Sequence, residues 1–165
     1  MLTRDSFSKQ DIAFAQKSLG ILSGLYGLLS PLDLVQPYRL EMSVLLSNSR
    51  GKDLYAFWST QLVKVINKNM EKCKANYLLN LASNEYFSAI NTAVLSKPVV
   101  KIDFKESRNG KLKIIGINAK KARGMMVNFI VKNRCKTLES LQDFSGMSYQ
   151  YSPSLSSGRV ITFVR

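Results

Sequence analysis

Lys97-Pro98-Val99-Val100-Lys101-Ile102-Asp103-Phe104-Lys105-Glu106 runs into a Ser107-Arg108-Asn109-Gly110 break, and Lys111-Leu112-Lys113-Ile114-Ile115-Gly116-Ile117 follows. The architecture turns on this stretch. Val100, Ile102 and Phe104 alternate with Lys101, Asp103 and Lys105, the period of two that marks a strand with one buried face. Asn109-Gly110 suits a tight hairpin turn because both residues tolerate positive φ, and Leu112 and Ile114 belong to the return strand. From Ala119 the period changes. Ala122, Met125, Met126, Phe129 and Ile130 share one helical face, while Lys121, Asn128 and Lys132 stack on the opposite one. The helix is predicted to end near Asn133-Arg134, where cations meet the negative end of its dipole.

Charge follows the same stretch. Residues 97–136 carry twelve Lys and Arg against Asp103 and Glu106, so +10 of the chain's net +13 is concentrated there. With a pI near 9.9, such clustering points to an anionic partner, of which nucleic acid is the commonest. The plainer alternative is a solvated face or a Lys- and Asn-rich composition bias.

Composition narrows the classes. At 165 residues, 45% hydrophobic and 10% aromatic, the chain has the means to build a core. No run approaches the roughly 20 apolar residues needed to cross a bilayer, and Met1-Leu2-Thr3-Arg4-Asp5 has no apolar core of signal-peptide length. A cytoplasmic protein without a membrane partner is expected. Cys73 and Cys135 form no CxxC pair and are expected to be reduced thiols. Histidine is absent, which removes the usual general base, the commonest metal ligand and every Ser-His or Cys-His nucleophile. Neither a metal nor a cofactor is expected.

Elsewhere, Ser8-Lys9-Gln10-Asp11 reads as a capping box opening a helix to about Leu19, with Ile12, Ala15 and Leu19 on one side. Leu22-Ser23-Gly24-Leu25-Tyr26-Gly27 follows. Gly24 and Gly27 would let a backbone approach a phosphate, yet they match neither a P-loop nor a dinucleotide fingerprint. Their spacing is one residue longer than that of helix–hairpin–helix DNA binders. A buried strand with glycines where another element packs closely is the plainer reading. Pro37 makes Gln36 to Met42 extended, and Arg39 either pairs with Glu41 or contacts phosphate. Asp53 starts a second helix carrying Leu54, Phe57, Trp58, Leu62, Val65 and Ile66 inward, with Asn69 to Lys74 as a connector. Tyr77 to Ala82 reads as a buried strand. Ser83 caps a helix bearing Glu85, Tyr86, Phe87 and Ile90, and a strand delivering Ser83 and Glu85 to a helix start is also a place for ligand contacts. Thr137 is expected to cap a short helix through Asp143, with Leu138, Leu141 and Phe144 inward. Tyr149-Gln150-Tyr151 and Arg159 to Val164 are strand-like. The whole predicts an α+β (mixed α/β) fold: one compact domain over 1–165, with a mixed sheet flanked by helices and a basic hairpin–helix unit near the C-terminal half.

The chain resembles the YaaA family of peroxide stress proteins. The likeness rests on Leu22-Ser23-Gly24-Leu25-Tyr26-Gly27, Pro31-Leu32-Asp33, Gln36-Pro37-Tyr38-Arg39-Leu40-Glu41-Met42, Gly51-Lys52-Asp53-Leu54-Tyr55 with Phe57-Trp58, Asn80-Leu81-Ala82-Ser83, Glu85-Tyr86-Phe87, and Ala119-Lys120-Lys121-Ala122-Arg123-Gly124 with Asn133-Arg134. Departures accompany it: Ser30 stands where the family often has Arg, Asn84 where it often has Asp, and Ser148-Tyr149 in place of Gly-Tyr. Family chains carry a further N-terminal segment, so this chain resembles a truncated or split-gene member. The resemblance implies a cytosolic oxidative-stress protein associated with lower free intracellular iron and protection of DNA, and duplex DNA binding through a basic cleft and a helix–hairpin–helix-like element.

The expected function is therefore non-enzymatic binding of duplex DNA, with Lys111, Lys113, Lys120, Lys121, Arg123, Lys132 and Arg134 neutralising phosphates. The alternatives are a nonfunctional fragment, or an enzyme acting on a nucleotide or phosphorylated molecule. The enzyme's pocket would hold Gly24, Gly27, Arg39, Ser83 and Glu85, with Lys120.

Overall fold

A computed structural model describes residues 6–165; Met1 to Asp5, read above for a leader, lie outside them. The fold is α+β. Along the chain come α1 (Lys9–Ser18), β1 (Ile21–Ser23), β2 (Gly27–Leu29), α2 (Leu54–Lys72), β3 (Leu78–Asn80), α3 (Asn84–Phe87), β4 (Val99–Arg108), β5 (Lys111–Lys113), α4 (Gly116–Asn133), β6 (Gln150–Tyr151) and β7 (Val160–Val164). The chain gathers into two units, each with its own core.

The first unit holds residues 6–14, 79–81 and 100–165. Its sheet runs β3-β4-β7-β6, with β5 folded back on β4. β4 and β7 are parallel, pairing Lys101 with Val160 through Lys105 with Val164, whereas β6 and β5 are antiparallel to their neighbours. The alternation in β4 holds: Val100, Ile102 and Phe104 are buried. Asn109 and Gly110 both have positive φ, 52° and 71°, as a type I′ turn requires. α4 lays Ala119, Ala122 and Met126 on the sheet beside Phe144, Tyr149 and Phe163. The Phe104 ring stacks on Phe163 at 5.5 Å and meets Tyr149 edge-on at 5.1 Å.

The second unit holds residues 15–78 and 82–99. α2 buries Leu54, Leu62, Val63, Ile66 and Met70 against Met42, Ala89 and Ile90. Asp53 caps it, its Oδ1 accepting from the Ala56 amide at 2.8 Å. β1 and β2 form a separate two-stranded hairpin.

Several expectations needed correction. Asn69 to Lys72 continues α2 instead of connecting, because Met70 repeats the inward position of Ile66 one turn on and is buried. Val65, by contrast, lies between that stripe and solvent and is exposed. α4 begins three residues early, at Gly116, and Asn128 is half-buried, not on an open face. α3 stops at Phe87 without reaching Ile90, and the Thr137 segment forms only a single 3-10 turn, Glu139–Leu141. Short elements of this kind draw their order from packing and not from their own hydrogen bonds. Both cysteines are free.

Candidate nucleic-acid interface

The seven predicted contact residues all fall in the first unit. Lys111 and Lys113 lie on β5, exposed, opposite Arg108 and Glu106 in the hairpin register. Lys120, Lys121, Arg123 and Lys132 lie on α4, and Arg134 is its C-cap, with φ 48°. Lys121 and Lys132 sit eleven residues apart, about 16 Å along the axis at 1.5 Å per residue and on nearly the same face. Among the described residues, none of Lys111, Lys113, Lys120, Lys121, Arg123 or Lys132 has an acidic partner within ion-pair distance. The first turn of α4 holds no acid, and its N-cap, Ile115, offers no side-chain acceptor. The amides there keep their partial positive charge.

Two of the seven differ from expectation. Arg134 is not free: its Nη2 donates to Asp11 Oδ1 at 2.9 Å. Asp11 is at the same time half of the capping box, accepting from the Ser8 amide while its own amide donates to Ser8 Oγ. Hydrogen bonding of the carboxylate by the Ser8 backbone first and the Ser8 side chain next, ahead of Arg134, holds its carboxyl below the usual range. Arg123 is half-buried, and desolvation of its guanidinium pushes it below the usual arginine range. Five lysines remain as exposed cations.

What holds the hairpin to the helix is Glu106, a residue that sequence reasoning missed. It is only 4% exposed. Its Oε1 accepts from Asn118 Nδ2 at 2.8 Å, Tyr149 Oη at 2.9 Å and Arg165 Nη2 at 3.1 Å. Its Oε2 takes Arg108 Nη2 at 3.3 Å. One carboxylate thus joins the root of the hairpin, the first turn of α4, the β6 approach and the chain's last residue. Burial alone would push its acid upward. The Asn118, Tyr149 and Arg108 hydrogen bonds and the charge of Arg165 outweigh burial, and the group sits below the ordinary carboxylate value. Tyr149, fully buried, is pushed up to about 12, by burial first and then by the Glu106 carboxylate it bonds. Arg165 also covers the Tyr149 ring, 4.9 Å from its centroid. A signal for Glu106 was present in the sequence. It continues the inward parity of Val100, Ile102 and Phe104 by one more step of two, and a buried acid on that face demands several donors.

The second set, Gly24, Gly27, Arg39, Ser83 and Glu85, falls in the second unit. Gly24 and Gly27 are buried and serve close packing. A Cβ on Gly24 would run into the Leu40 carbonyl oxygen, and one on Gly27 would meet the Trp58 ring at 2.6 Å. Trp58 Nε1 donates to the Gly24 carbonyl at 2.9 Å. Ser83 caps α3, and Glu85 accepts from the Ser43 amide and hydroxyl at 3.1 and 3.0 Å. Arg39 is exposed and forms no ion pair with Glu41. Among the described residues, no three Cys, Asp or Glu side chains gather in a way that would hold a metal ion. Among those residues, too, no helix is long and apolar enough to cross a membrane.

Comparison with known proteins agrees with the motifs. The sequence model of a family described as "Peroxide stress protein YaaA" matches residues 1–155. A protein of Cellvibrio japonicus named "UPF0246 protein" is 50% identical over 161 residues, covering 98% of this chain and 62% of that relative. One of Legionella pneumophila (strain Corby), with the same name, is 47% identical over 164 residues, covering 99% of this chain and 64% of its own length. The chain spans a little under two thirds of the relatives it matches.

Proposed function

The chain belongs to the peroxide stress protein YaaA family, and from that membership we propose that it binds nucleic acid, as duplex DNA, in the cytoplasmic response to peroxide. The observation that carries this reading is the set of exposed lysines on β5 and α4. Among the described residues they have no acidic partner, and they lie on the hairpin and the helix that the buried Glu106 ties together. Cations left unpaired on a rigid frame are suited to neutralising a phosphate backbone, and such contacts are sequence-tolerant and release counterions.

The test is a salt titration of duplex affinity. Lys111, Lys113, Lys120 and Lys121 are exposed, so their replacement by Gln leaves the core intact. The slope of log affinity against log salt should shrink by roughly 0.9 for each phosphate that is no longer neutralised. Unchanged affinity and slope would reduce the patch to a solvated face. A nucleotide that raises Tm while duplex DNA is not retarded would favour the other class, an enzyme acting on a nucleotide or phosphorylated small molecule through Gly24, Gly27, Arg39, Ser83 and Glu85. The reading also includes limitation of free intracellular iron; loss of the gene should then raise chelatable iron under peroxide, and unchanged iron would remove that part.

A further inference from the structure

The stretch from Ser30 to Asn48 contains no helix or strand, yet it is fastened at close intervals. The Ser30 amide donates to Asp33 Oδ2 at 2.8 Å, and the Leu32 amide to Gln16 Oε1 at 3.0 Å. The Gln36 amide donates to Tyr26 Oη at 3.2 Å, and Tyr38 Oη shares a hydrogen bond with Ser23 Oγ at 2.5 Å. The Tyr26 and Tyr38 rings meet edge-on at 5.4 Å. Met42 is fully buried, and Ser43 is held by Glu85 through both its amide and its hydroxyl. Asn48 Nδ2 closes the strap on the Leu46 carbonyl at 2.9 Å.

The pinned strap turns apolar side chains outward. Leu34 is 98% exposed and Leu45 85%, and Leu32, Val35, Val44 and Leu46 are each exposed as well. Single exposed leucines are ordinary on any protein. Six within fifteen positions, on backbone whose conformation is already fixed, are the mark of an interaction surface. Fixing the strap in advance also lowers the ordering cost of whatever docks there.

We propose that this strap is the seat of a polypeptide segment equivalent to the part of the relatives that has no counterpart in these 165 residues. Two observations select that occupant. The relatives match nearly all of this chain, strap included, and still extend beyond it by more than a third of their length. A second copy of this chain would bring another net +13 to the assembly as a whole, and that like net charge opposes self-association. The proposal concerns the second unit and stands independently of DNA binding.

Hydrogen exchange tests it in two proteins. In the intact Cellvibrio japonicus relative, where the additional segment is covalently present, amides matching residues 32–46 should exchange at least about tenfold more slowly than in the 165-residue chain alone. Adding the relative's unmatched segment as a separate polypeptide to the 165-residue chain should restore that protection, and Leu34→Ser with Leu45→Ser should abolish it. Both leucines are solvent-facing, so the double variant keeps the fold. Equally fast exchange of the strap in the intact relative would overturn the proposal. So would a concentration-dependent dimer of the 165-residue chain that the same double variant dissolves, which would make the occupant a second copy.

Discussion

Glu106 and Gly27 are the residues on which most depends, one through charge and the other through the lack of a side chain. The Glu106 carboxyl is held below its ordinary value of 4.5, so the folded chain binds fewer protons there than the unfolded chain as acid is added. Its contribution to stability is complete above pH 4.5 and is lost as pH falls through the lowered folded-state value. Calorimetric Tm should therefore drop on acidification. Glu106→Gln should lower Tm at neutral pH and flatten that acid limb, leaving the share due to Asp11 and Glu139, whose carboxyls are also held below their ordinary values. An unaltered limb would mean the carboxylate is not ionised in the folded state. Gly27 combines φ +75° with the Trp58 ring standing where a Cβ would go. Gly27→Ala should cost upwards of about 2 kcal/mol, since backbone strain and overpacking add. Gly110→Ala, at φ +71° with nothing within 4 Å, should cost only about 1 kcal/mol. Comparing urea midpoints of the two variants separates strain from clash.

Among the elements, α2 and the β4–β5 hairpin were the most legible. A strand alternating over seven residues, an Asn-Gly turn and a 3.6-residue stripe are all specified within a few neighbouring positions. The cap of α2 was legible for the same reason. Asp53→Ala should lower stability by about 1 kcal/mol, as loss of an N-cap usually does, with Asp53→Asn restoring most of it in denaturant titration. The ends of elements were less legible. α2 reaches Lys72 because Met70 finds a place in the core, and α3 is short because Ala89 and Ile90 are buried beyond it. In each case packing overrode the local pattern.

The described residues form two cores, and β5 and α4 belong to the unit built on one of them. The exposed lysines contribute to the field and not to packing. Replacing Lys111, Lys113, Lys120 and Lys121 with Gln should leave Tm within a degree or two of the parent while weakening DNA retention on a salt gradient. A large fall in Tm would show that these side chains hold structure. Arg123 and Arg134 belong in a different class: one is half-buried and the other is tied to Asp11. Removing either would mix stability with binding, so neither is a clean probe of phosphate contact.

The α+β class, the family, the hairpin and its turn, both principal caps and the concentration of charge could all be read from the residues in order. Each is written in residues two to four apart or in simple counts. Folding in three dimensions was needed to show that Gly24 and Gly27 make room for the Leu40 carbonyl and the Trp58 ring, that Arg134 answers Asp11, and that Glu106 is the buried hub. Three of the four partners of Glu106 lie 12, 43 and 59 positions away at Asn118, Tyr149 and Arg165. A buried polar group is stable only when its donors converge in space, and that convergence is a property of the folded chain.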